Sequence, residues 1–536
     1  MTPQIAASAL SSGDAGQAVV SGHGRDWAAV LLGLGAAALS AASTFYYLKQ
    51  HLILGFQDSY SHLEISRRVV TGLSPGVAQL GGAWLPVPQL LQALFGWNYA
   101  LYSTGLAGAL VSMLSYVAVT VYVYRIIALY AHGRRLPAIA GAVVFAVNVN
   151  VLYQQSTPMD ELPFFAFTAA TVYYLAKWGE TRVATNLLAA SMAAMLAGLC
   201  RYEGWFLAVV FVGCTVAMAR RLGYSWPDVS GLTAVPAIVA VILPIGGWLL
   251  YNLLLFGDAF DFTNDSTTVN SATSAVQRVT AHSSGGIDSW PLALKAYGVA
   301  AGSDIGLAVI VLGVLGLAVF LDREHMSARS LPVLGLLTIV PFFIVTLKIG
   351  TEPMSLPQEG GSLLNYRFGL IVLIPVAILT GYLVSMAAGK VSVTLAVIVM
   401  VVNAGISLHA LQHHHVALAV EASQEAAEQH AQVLAGEFIV DHTTGLILMD
   451  ISLNQVADFD VVDRTIYDGT KEDGKNEWSA VLANPAAFDV RVIVMRQSNG
   501  ASGAEDVVYE ALHESPKMRA YQLVYSNSDY LIYRFR

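Results

Sequence analysis

Long apolar stretches recur along most of the chain and limit its fold more than any other feature. Each helical crossing of a bilayer requires about 20 consecutive apolar residues. The sequence contains about eleven such stretches, some of them short or closely spaced, at residues 27–48, 99–124, 136–153, 161–178, 184–199, 204–219, 230–256, 303–321, 330–348, 364–388 and 391–411. It therefore predicts an α-helical polytopic membrane protein.

The composition agrees with this prediction. Of the 536 residues, 55% are hydrophobic and only 12% are charged, which is too little charge to cover a soluble protein of this size. The formal net charge of -9 argues against a nucleic-acid partner. Cys200 and Cys214 both lie in apolar stretches, so they indicate neither a disulfide framework nor a metal site.

Lys and Arg residues predict the orientation in the membrane, because cytoplasmic connections are enriched in positive charge. Residues 1–26 form a predicted disordered cytoplasmic tail, and residues 27–411 the membrane domain. The loops on the opposite, extracytoplasmic side are then 49–98, 154–163, 257–302 and 349–363. The positive residues that set this orientation are Arg25, Arg134, Arg135, Lys177, Arg182, Arg220, Arg221, Arg323, Arg329 and Lys390. We expect a multi-pass protein of the plasma (inner) membrane, with a cytoplasmic N-terminus.

The composition changes after the last apolar stretch. Residues 412–536 begin with an Ala/Glu/Gln-rich helical pattern and continue with short strand-like runs such as DVRVIVM, separated by polar turns. This pattern predicts a small extracytoplasmic α/β domain. We expect it to recognise an acceptor or to cap the active site rather than to perform chemistry.

Charged residues crowd the loop that follows the first apolar stretch. In DSYSHLEISRR, Asp58 and His62 are four residues apart and share one face of a predicted surface helix. Ionisable groups at a membrane boundary indicate function. Two interpretations stay open for this pair: His62 orients a working Asp58, or both side chains belong to a solvated helix face. For Glu64, the solvated face is the favoured interpretation. Arg67 and Arg68 are expected to anchor in lipid headgroups.

A second acidic pair lies in QQSTPMDELPFF, where Asp160 and Glu161 stand between Pro158 and Pro163. Two neighbouring carboxylates at the end of a helical bundle can hold a divalent cation or position an acceptor group. Alternatively, they cap the helix that follows, because acidic residues favour the first helical turn.

Two further clusters contain arginine. CRYEGW carries Arg201, Tyr202 and Glu203, and NYRFGL carries Tyr366 and Arg367. Arginine grips phosphate and pyrophosphate through two parallel hydrogen bonds, so both clusters suit a phosphorylated substrate. The alternative is that these arginines pair with nearby carboxylates or anchor the helix ends at the membrane surface.

In their order and placement, these residues resemble the GT-C glycosyltransferases, the polytopic class that uses lipid-phosphate sugar donors. That class has an aspartate in the first extracytoplasmic loop and a second acidic site between the third and fourth spans; Asp58 and the Asp160–Glu161 pair match those places. RYEGWFLAVV, YNLLLFGDAFDF and NYRFGLIVLIP are similar to stretches of bacterial mannosyl- and aminoarabinose-transferases. No WWD-type sequence is present, so the resemblance does not extend to N-linked oligosaccharide transfer.

The resemblance implies transfer of a sugar from a polyprenyl-phosphate-linked donor to a lipid, glycan or protein acceptor, with loop 257–302 as a lid. Asp58 is the expected general base. Asp160 and Glu161 complete the catalytic set, and with Asp58 they are the candidate ligands of a divalent cation, Mg or Mn. The expected substrate-binding residues are His62, Arg201, Tyr202, Glu203, Tyr366 and Arg367.

A transporter or flippase of a lipid-linked or anionic solute is the main alternative, since it would also have about a dozen spans and charged groups. Such a protein is expected to place charged or helix-breaking residues near the middle of its spans. Here the unusual acids and arginines follow or precede apolar stretches instead. A third possibility, a membrane anchor that displays the C-terminal domain, needs only one or two spans.

Overall fold

A computed structural model describes residues 26–264, 289–349, 354, 363–469, 471–472, 475–497 and 506–536. Almost all of the predicted cytoplasmic tail lies outside the described residues. So do residues 265–288 of the predicted lid and most of loop 349–363.

Helices account for every predicted apolar stretch. Among the described residues, seven helices are long and apolar enough to cross a membrane, or eight if the two helices that meet at a 104° bend form one broken span. The predicted number of about eleven also counts shorter or less apolar helices. The chain is thus an integral membrane protein.

The helices up to residue 349 are α1 Trp27–Lys49, α2 Gln57–Val70, α3 Pro86–Gly96, α4 Tyr99–Ser103, α5 Leu106–Tyr130, α6 Arg135–Ala146, α7 Val149–Gln154, α8 Glu161–Thr181, α9 Ala184–Gly198, α10 Glu203–Arg221, α11 Trp226–Pro236, α12 Leu243–Phe256, α13 Asp261–Asn264, α14 Trp290–Ile305, α15 Leu307–Glu324, α16 Leu331–Leu336 and α17 Ile339–Ile349. A π-helical segment, Ala237–Ile242, joins α11 to α12, and α14 and α15 meet at the 104° bend. A 3-10 segment, Tyr366–Val372, leads into the helices that follow: α18 Leu373–Met386, α19 Gly389–Gln412, α20 Ala417–Glu428, α21 His430–His442, α22 Ile451–Asp458, α23 Trp478–Ala483 and α24 Val507–Leu512.

The loop between α7 and α8 is held against α5 and α3. A Cβ atom at Gly108 would lie only 2.7 Å from the Cα of Pro158, so α5 can approach this loop closely only with glycine at that position. Ser112 donates a hydrogen bond to the carbonyl of Thr157 at 2.8 Å, and Gln92 donates to that of Pro158 at 2.9 Å. These contacts fix the loop that leads to Asp160.

The C-terminal region contains a five-stranded mixed sheet, which confirms the predicted small α/β fold. Its strand order is β2-β1-β5-β7-β6, with β1, β2 and β5 parallel and β7 antiparallel to both of its neighbours. A separate two-stranded ribbon pairs β3 with β4. The strands are β1 Leu446–Leu448, β2 Thr465–Ile466, β3 Lys471–Glu472, β4 Lys475–Asn476, β5 Val490–Arg496, β6 Tyr521–Ser526 and β7 Tyr530–Phe535.

Both faces of this sheet are buried. Side chains alternate across a strand, so Val492 and Val494 enter one apolar layer while Ile493 and Met495 enter the other. A central strand covered on both faces has an almost continuous apolar sequence, which is what β5 shows.

The C-terminal domain covers the polar face of α2. Arg68 lies 3.0 Å from a carboxylate oxygen of Glu64 and 2.8 Å from one of Asp458, and all three side chains are almost completely buried. Arg67 forms an ion pair with Asp463. The expectations that Arg67 and Arg68 anchor in headgroups and that Glu64 is solvated are therefore wrong, because acidic residues of the C-terminal domain pair with this face.

Aromatic side chains reinforce the same interface. The ring of Phe459 stacks on that of Tyr102 at a centroid distance of 4.3 Å and meets the edge of Tyr60 at 4.9 Å. The Tyr102 hydroxyl also donates a 2.8 Å hydrogen bond to the Phe459 carbonyl. Stacked and edge-to-face aromatic pairs stabilise beyond their buried area, so Phe459 is a strong contact between the C-terminal domain and helices α2 and α4.

Replacing Arg68 with leucine should destabilise the protein. The change leaves Glu64 and Asp458 buried without a cationic partner, and breaking a buried pair in this way costs about 3–5 kcal/mol. We expect a clearly lower apparent melting temperature of the detergent-solubilised protein. Arg323→Leu is the control, because Arg323 pairs with Asp322 on the exposed surface; an equal shift in both variants would contradict the assigned role of Arg68.

Candidate functional site

Six charged side chains that are distant in sequence meet at one end of the helical bundle. We refer to them as the charged cluster: Asp58, Asp160, Glu161, Arg201, Glu203 and Arg367. Each belongs to one of the four sequence clusters singled out above. The structure therefore brings together all three predicted catalytic residues and three of the six predicted substrate-binding residues.

Arg201 is the centre of one half of the cluster. Its Nη1 atom lies 2.6 Å from Oδ1 of Asp160 and 3.0 Å from Oε1 of Glu161, and its Nη2 atom lies 2.8 Å from Oε1 of Glu203. One guanidinium thus joins three carboxylates. This is the arrangement that the ion-pair interpretation of Arg201 predicted.

Arg367 connects this half to Asp58. It forms an ion pair with the Asp58 carboxylate, and its Nε atom lies 3.2 Å from Oε1 of Glu161. Glu161 therefore stands between two guanidinium groups. Its other carboxylate oxygen accepts a 2.7 Å hydrogen bond from Gln154, a residue of α7 that the sequence analysis did not single out.

Aromatic rings lie against the two arginines. The guanidinium carbon of Arg201 lies 5.2 Å from the centroid of the Phe368 ring, and that of Arg367 lies 5.6 Å from the same ring. Arg367 also faces the ring of Phe56 at 5.3 Å. These cation–π contacts favour the charged guanidinium groups in a site with little water.

Helix starts place the acidic residues of the cluster. Asp58 lies in the first turn of α2, Glu161 begins α8 and Glu203 begins α10. Acidic side chains are favoured there by the partial positive charge of the helix N-terminus. Asp160 stands at the N-cap position of α8, but its side chain makes no capping bond to the helix and pairs with Arg201 instead.

Accessibility distinguishes one member of the cluster. The side chain of Asp58 is 26% exposed, whereas that of Arg201 is 11% exposed and the other four are less exposed still. Asp58 is therefore the carboxylate that an incoming group can reach most readily. The remaining members form the buried support behind it.

His62 lies beside the cluster but bonds elsewhere. Gln89 donates a 2.8 Å hydrogen bond to its Nδ1 atom, and the edge of Trp84 packs on its ring at 4.5 Å. This bond favours the neutral tautomer with the proton on Nε2. Burial lowers the pKa of His62 to about 4, although the nearby carboxylates of Asp58 and Glu161 oppose that shift. His62 is held by Gln89 rather than by a bond to Asp58.

The two predicted tyrosines lie around the cluster. The Tyr202 hydroxyl donates a 2.7 Å hydrogen bond to the carbonyl of Ala83, and its ring stacks on Phe262. Tyr202 thus joins the loop after α2 to the segment after α12. Tyr366 is buried, and its backbone N–H donates to Glu421 at 3.2 Å.

No group of three or more His, Cys, Asp or Glu residues converges as a metal site within the described ranges. Carboxylates are the donor type that Mg and Mn prefer. In the cluster, however, arginine contacts Asp58, Asp160 and Glu161 alike. Because each candidate ligand already pairs with a guanidinium group, these residues as arranged do not fit a resident divalent ion.

A known structure shares this architecture. The chain aligns with ArnT, an aminoarabinose transferase, from Cupriavidus metallidurans bound to undecaprenyl phosphate, with a TM-score of 0.54, 12% identity and coverage of 92% of this chain and 97% of ArnT. The chain has the GT-C fold of ArnT. The oligosaccharyltransferase AglB from Archaeoglobus fulgidus, in complex with an inhibitory peptide and a dolichol-phosphate, aligns with a TM-score of 0.49, 12% identity and coverage of 88% and 69%. No protein-family model and no curated protein sequence matches the chain.

The GT-C fold confirms the resemblance drawn from the sequence at the level of architecture. ArnT is matched over almost its whole length, so the similarity includes the C-terminal region as well as the spans. At 12% identity, the alignment establishes the fold alone.

Acid should destabilise the protein through His62. The pKa of His62 is about 4 in the folded state and about 6.5 in an unfolded chain. Between these two pH values the unfolded chain binds a proton that the folded protein does not. The free energy of unfolding is therefore unaffected by His62 above pH 6.5 and falls as the pH decreases toward 4. The full loss is about 3 kcal/mol. The apparent melting temperature of His62→Gln should therefore fall less than that of wild type between pH 7 and pH 4. An equal fall would show that His62 does not titrate in this way.

Proposed function

We propose that the chain is a glycosyltransferase that moves a sugar from a polyprenyl-phosphate donor to an acceptor hydroxyl. The observation that carries this proposal is the partly exposed carboxylate of Asp58 next to Arg367 in an otherwise buried charged cluster. The GT-C fold shared with ArnT, whose structure contains undecaprenyl phosphate, supports the same chemistry.

Asp58 is the proposed general base. It accepts the proton of the acceptor hydroxyl while the hydroxyl oxygen attacks the anomeric carbon of the donor. The bond from that carbon to the phosphate oxygen breaks, and its electron pair stays on the departing polyprenyl phosphate. Asp58 loses its negative charge in this step just as the phosphate gains charge, so Arg367 can exchange one anionic partner for the other.

The buried part of the cluster stabilises the charges that develop in the transition state. Attack at the anomeric carbon gives the sugar partial positive charge, and the three buried carboxylates with the two guanidinium groups carry a formal charge of −1 beside it. Arg201 and Arg367 are the proposed cationic groups for the leaving phosphate. Because carboxylates hold both arginines in place, little reorganisation is required during the reaction.

The proposed reaction involves no divalent cation held by the charged cluster. The candidate ligands Asp58, Asp160 and Glu161 each contact an arginine instead. Arg201 and Arg367 already occupy the contacts that such an ion would make.

We also propose that the reaction takes place on the extracytoplasmic side of the plasma membrane of a bacterium or archaeon. The positive charges in alternate loops support this orientation. The first loop and the C-terminal domain pack directly on each other through Arg68 and Asp458, so they share one side of the membrane. The charged cluster forms at helix starts, which favours one-sided chemistry over the transporter alternative.

Replacing Asp58 with asparagine should abolish most of the turnover. Loss of a general base lowers the rate by roughly 10²–10⁴, while the donor still binds to the remaining cluster. The measurement is transfer of radiolabelled sugar from a panel of polyprenyl-phosphate donors by purified protein in detergent, together with donor binding.

Asp441→Asn is the matched control, because Asp441 is an exposed aspartate outside the cluster. Full activity of Asp58→Asn would assign the base elsewhere in the cluster, at Asp160 or Glu161. If the wild type transfers no sugar but moves a lipid-linked solute across liposomes, the glycosyltransferase proposal is wrong and the transporter alternative replaces it.

Replacing Arg367 with glutamine should weaken binding of polyprenyl phosphate itself. A hydrogen bond to a charged group is worth about 1.5–3 kcal/mol, so the Kd for undecaprenyl phosphate should rise roughly 10- to 100-fold. Binding of the lipid to purified protein measures this directly, with Arg323→Gln as the control for an exposed arginine. An unchanged Kd in Arg367→Gln would remove Arg367 from the phosphate site.

A further inference from the structure

Helix α20, the first helix after the last membrane span, contacts the two chain segments that carry Asp58 and Arg367. It follows α19 after a short break and packs against α7 and the 3-10 segment Tyr366–Val372. The sequence analysis placed this Ala/Glu/Gln-rich helix in the soluble domain and gave it no role in the site. Its acidic side chains nevertheless reach the backbone on either side of the ion pair.

Glu425 caps the helix that carries Asp58. Its Oε2 atom accepts a 2.9 Å hydrogen bond from the backbone N–H of Gln57, the first residue of α2 and the neighbour of Asp58. The residue before α2 is Phe56, whose side chain cannot accept such a bond. A carboxylate from another helix therefore satisfies the start of α2, where negative charge is favoured.

Glu421 holds the segment that carries Arg367. Its two carboxylate oxygens accept hydrogen bonds from the backbone N–H groups of Asn365, at 2.5 Å, and of Tyr366, at 3.2 Å. Asn365 has a φ of +56°, a conformation that non-glycine residues adopt infrequently. The bonds to Glu421 thus hold a turn that the chain would not strongly favour by itself, directly before Arg367.

Close packing keeps α20 at this distance. A Cβ atom at Gly55 would lie 2.8 Å from the Cβ of Ala422, so the start of α2 approaches α20 closely only because residue 55 is glycine. The backbone N–H of Leu418 donates a 3.0 Å hydrogen bond to Asn150 of α7. The helix is therefore fixed to the membrane domain at its N-terminal end as well as through its two glutamates.

We propose that Glu421 and Glu425 are positioning residues that fix Asp58 and Arg367 in register with each other. This inference rests on the proposed function, because it assigns the pair they position to sugar transfer. Neither glutamate bonds to a side chain of the charged cluster in the described contacts, and Glu421 is completely buried. Both glutamates act through bonds to backbone N–H groups, at residue 57 and at residues 365–366. One helix thus holds two chain segments that are about 300 residues apart in the sequence.

The test compares three variants on α20 with wild type. Glu425→Ala removes the acceptor, Glu425→Gln retains one acceptor oxygen, and Glu428→Ala changes an exposed glutamate on the same helix as the matched control. Hydrogen exchange of peptides spanning residues 53–60 should become faster in Glu425→Ala and stay unchanged in the other two. Glu421→Ala should do the same for peptides spanning residues 363–370.

Kinetics then separate positioning from a merely structural role. A displacement of about 1 Å can cost 10²-fold in rate, so Glu425→Ala should lower kcat roughly 10- to 100-fold and leave KM for the donor within about threefold. Glu425→Gln should restore most of the activity. In an Asp58→Asn background, Glu425→Ala should add little further loss, because it acts through Asp58.

The outcomes distinguish this inference from the function on which it rests. A wild-type protein that transfers no sugar refutes the proposed function, whereas the exchange measurement still supports or refutes the backbone contacts. If wild type is active and Glu425→Ala matches Glu428→Ala in exchange or in kcat, the positioning role is wrong. Additive losses in the double variant would also overturn it.

Discussion

The sharing of two guanidinium groups among four carboxylates is the interaction on which the rest of the structure depends. An unpaired buried charge is strongly destabilising, so Asp160, Glu161 and Glu203 can be buried only because Arg201 lies among them. Arg367 extends the same arrangement to Asp58. The starts of α2, α8 and α10 are thereby drawn to one place, and the loops between them must follow.

Much of this could be predicted from the sequence, because the bilayer imposes strong rules. Apolar stretches of membrane length become helices, since the backbone must satisfy its own hydrogen bonds there. Acids and arginines at the ends of such stretches on one side of the membrane are confined to a thin layer. Asp58, Asp160 and Arg367, each identified separately in the sequence, lie in one cluster in the structure, as such a layer predicts.

The surroundings of α2 could not be predicted, because pairing across hundreds of residues leaves no local pattern. Arg68 and Glu64 look like a solvated helix face until the C-terminal domain supplies Asp458. Glu421 and Glu425 did carry a visible signal, four residues apart on one helical face. That spacing is common on exposed helices, so only the position of α20 against the membrane domain distinguishes it.

The location of α20 after the last span has a consequence for biosynthesis. Chains are made from the N-terminus, so Asp58 emerges long before Glu425, which holds the start of its helix. Until the final span has been inserted and α20 has docked, α2 has neither its cap nor the cover of the C-terminal domain. Under the proposed function, a nascent or truncated chain without α20 would carry all four acids of the charged cluster but would not transfer sugar from the lipids around it.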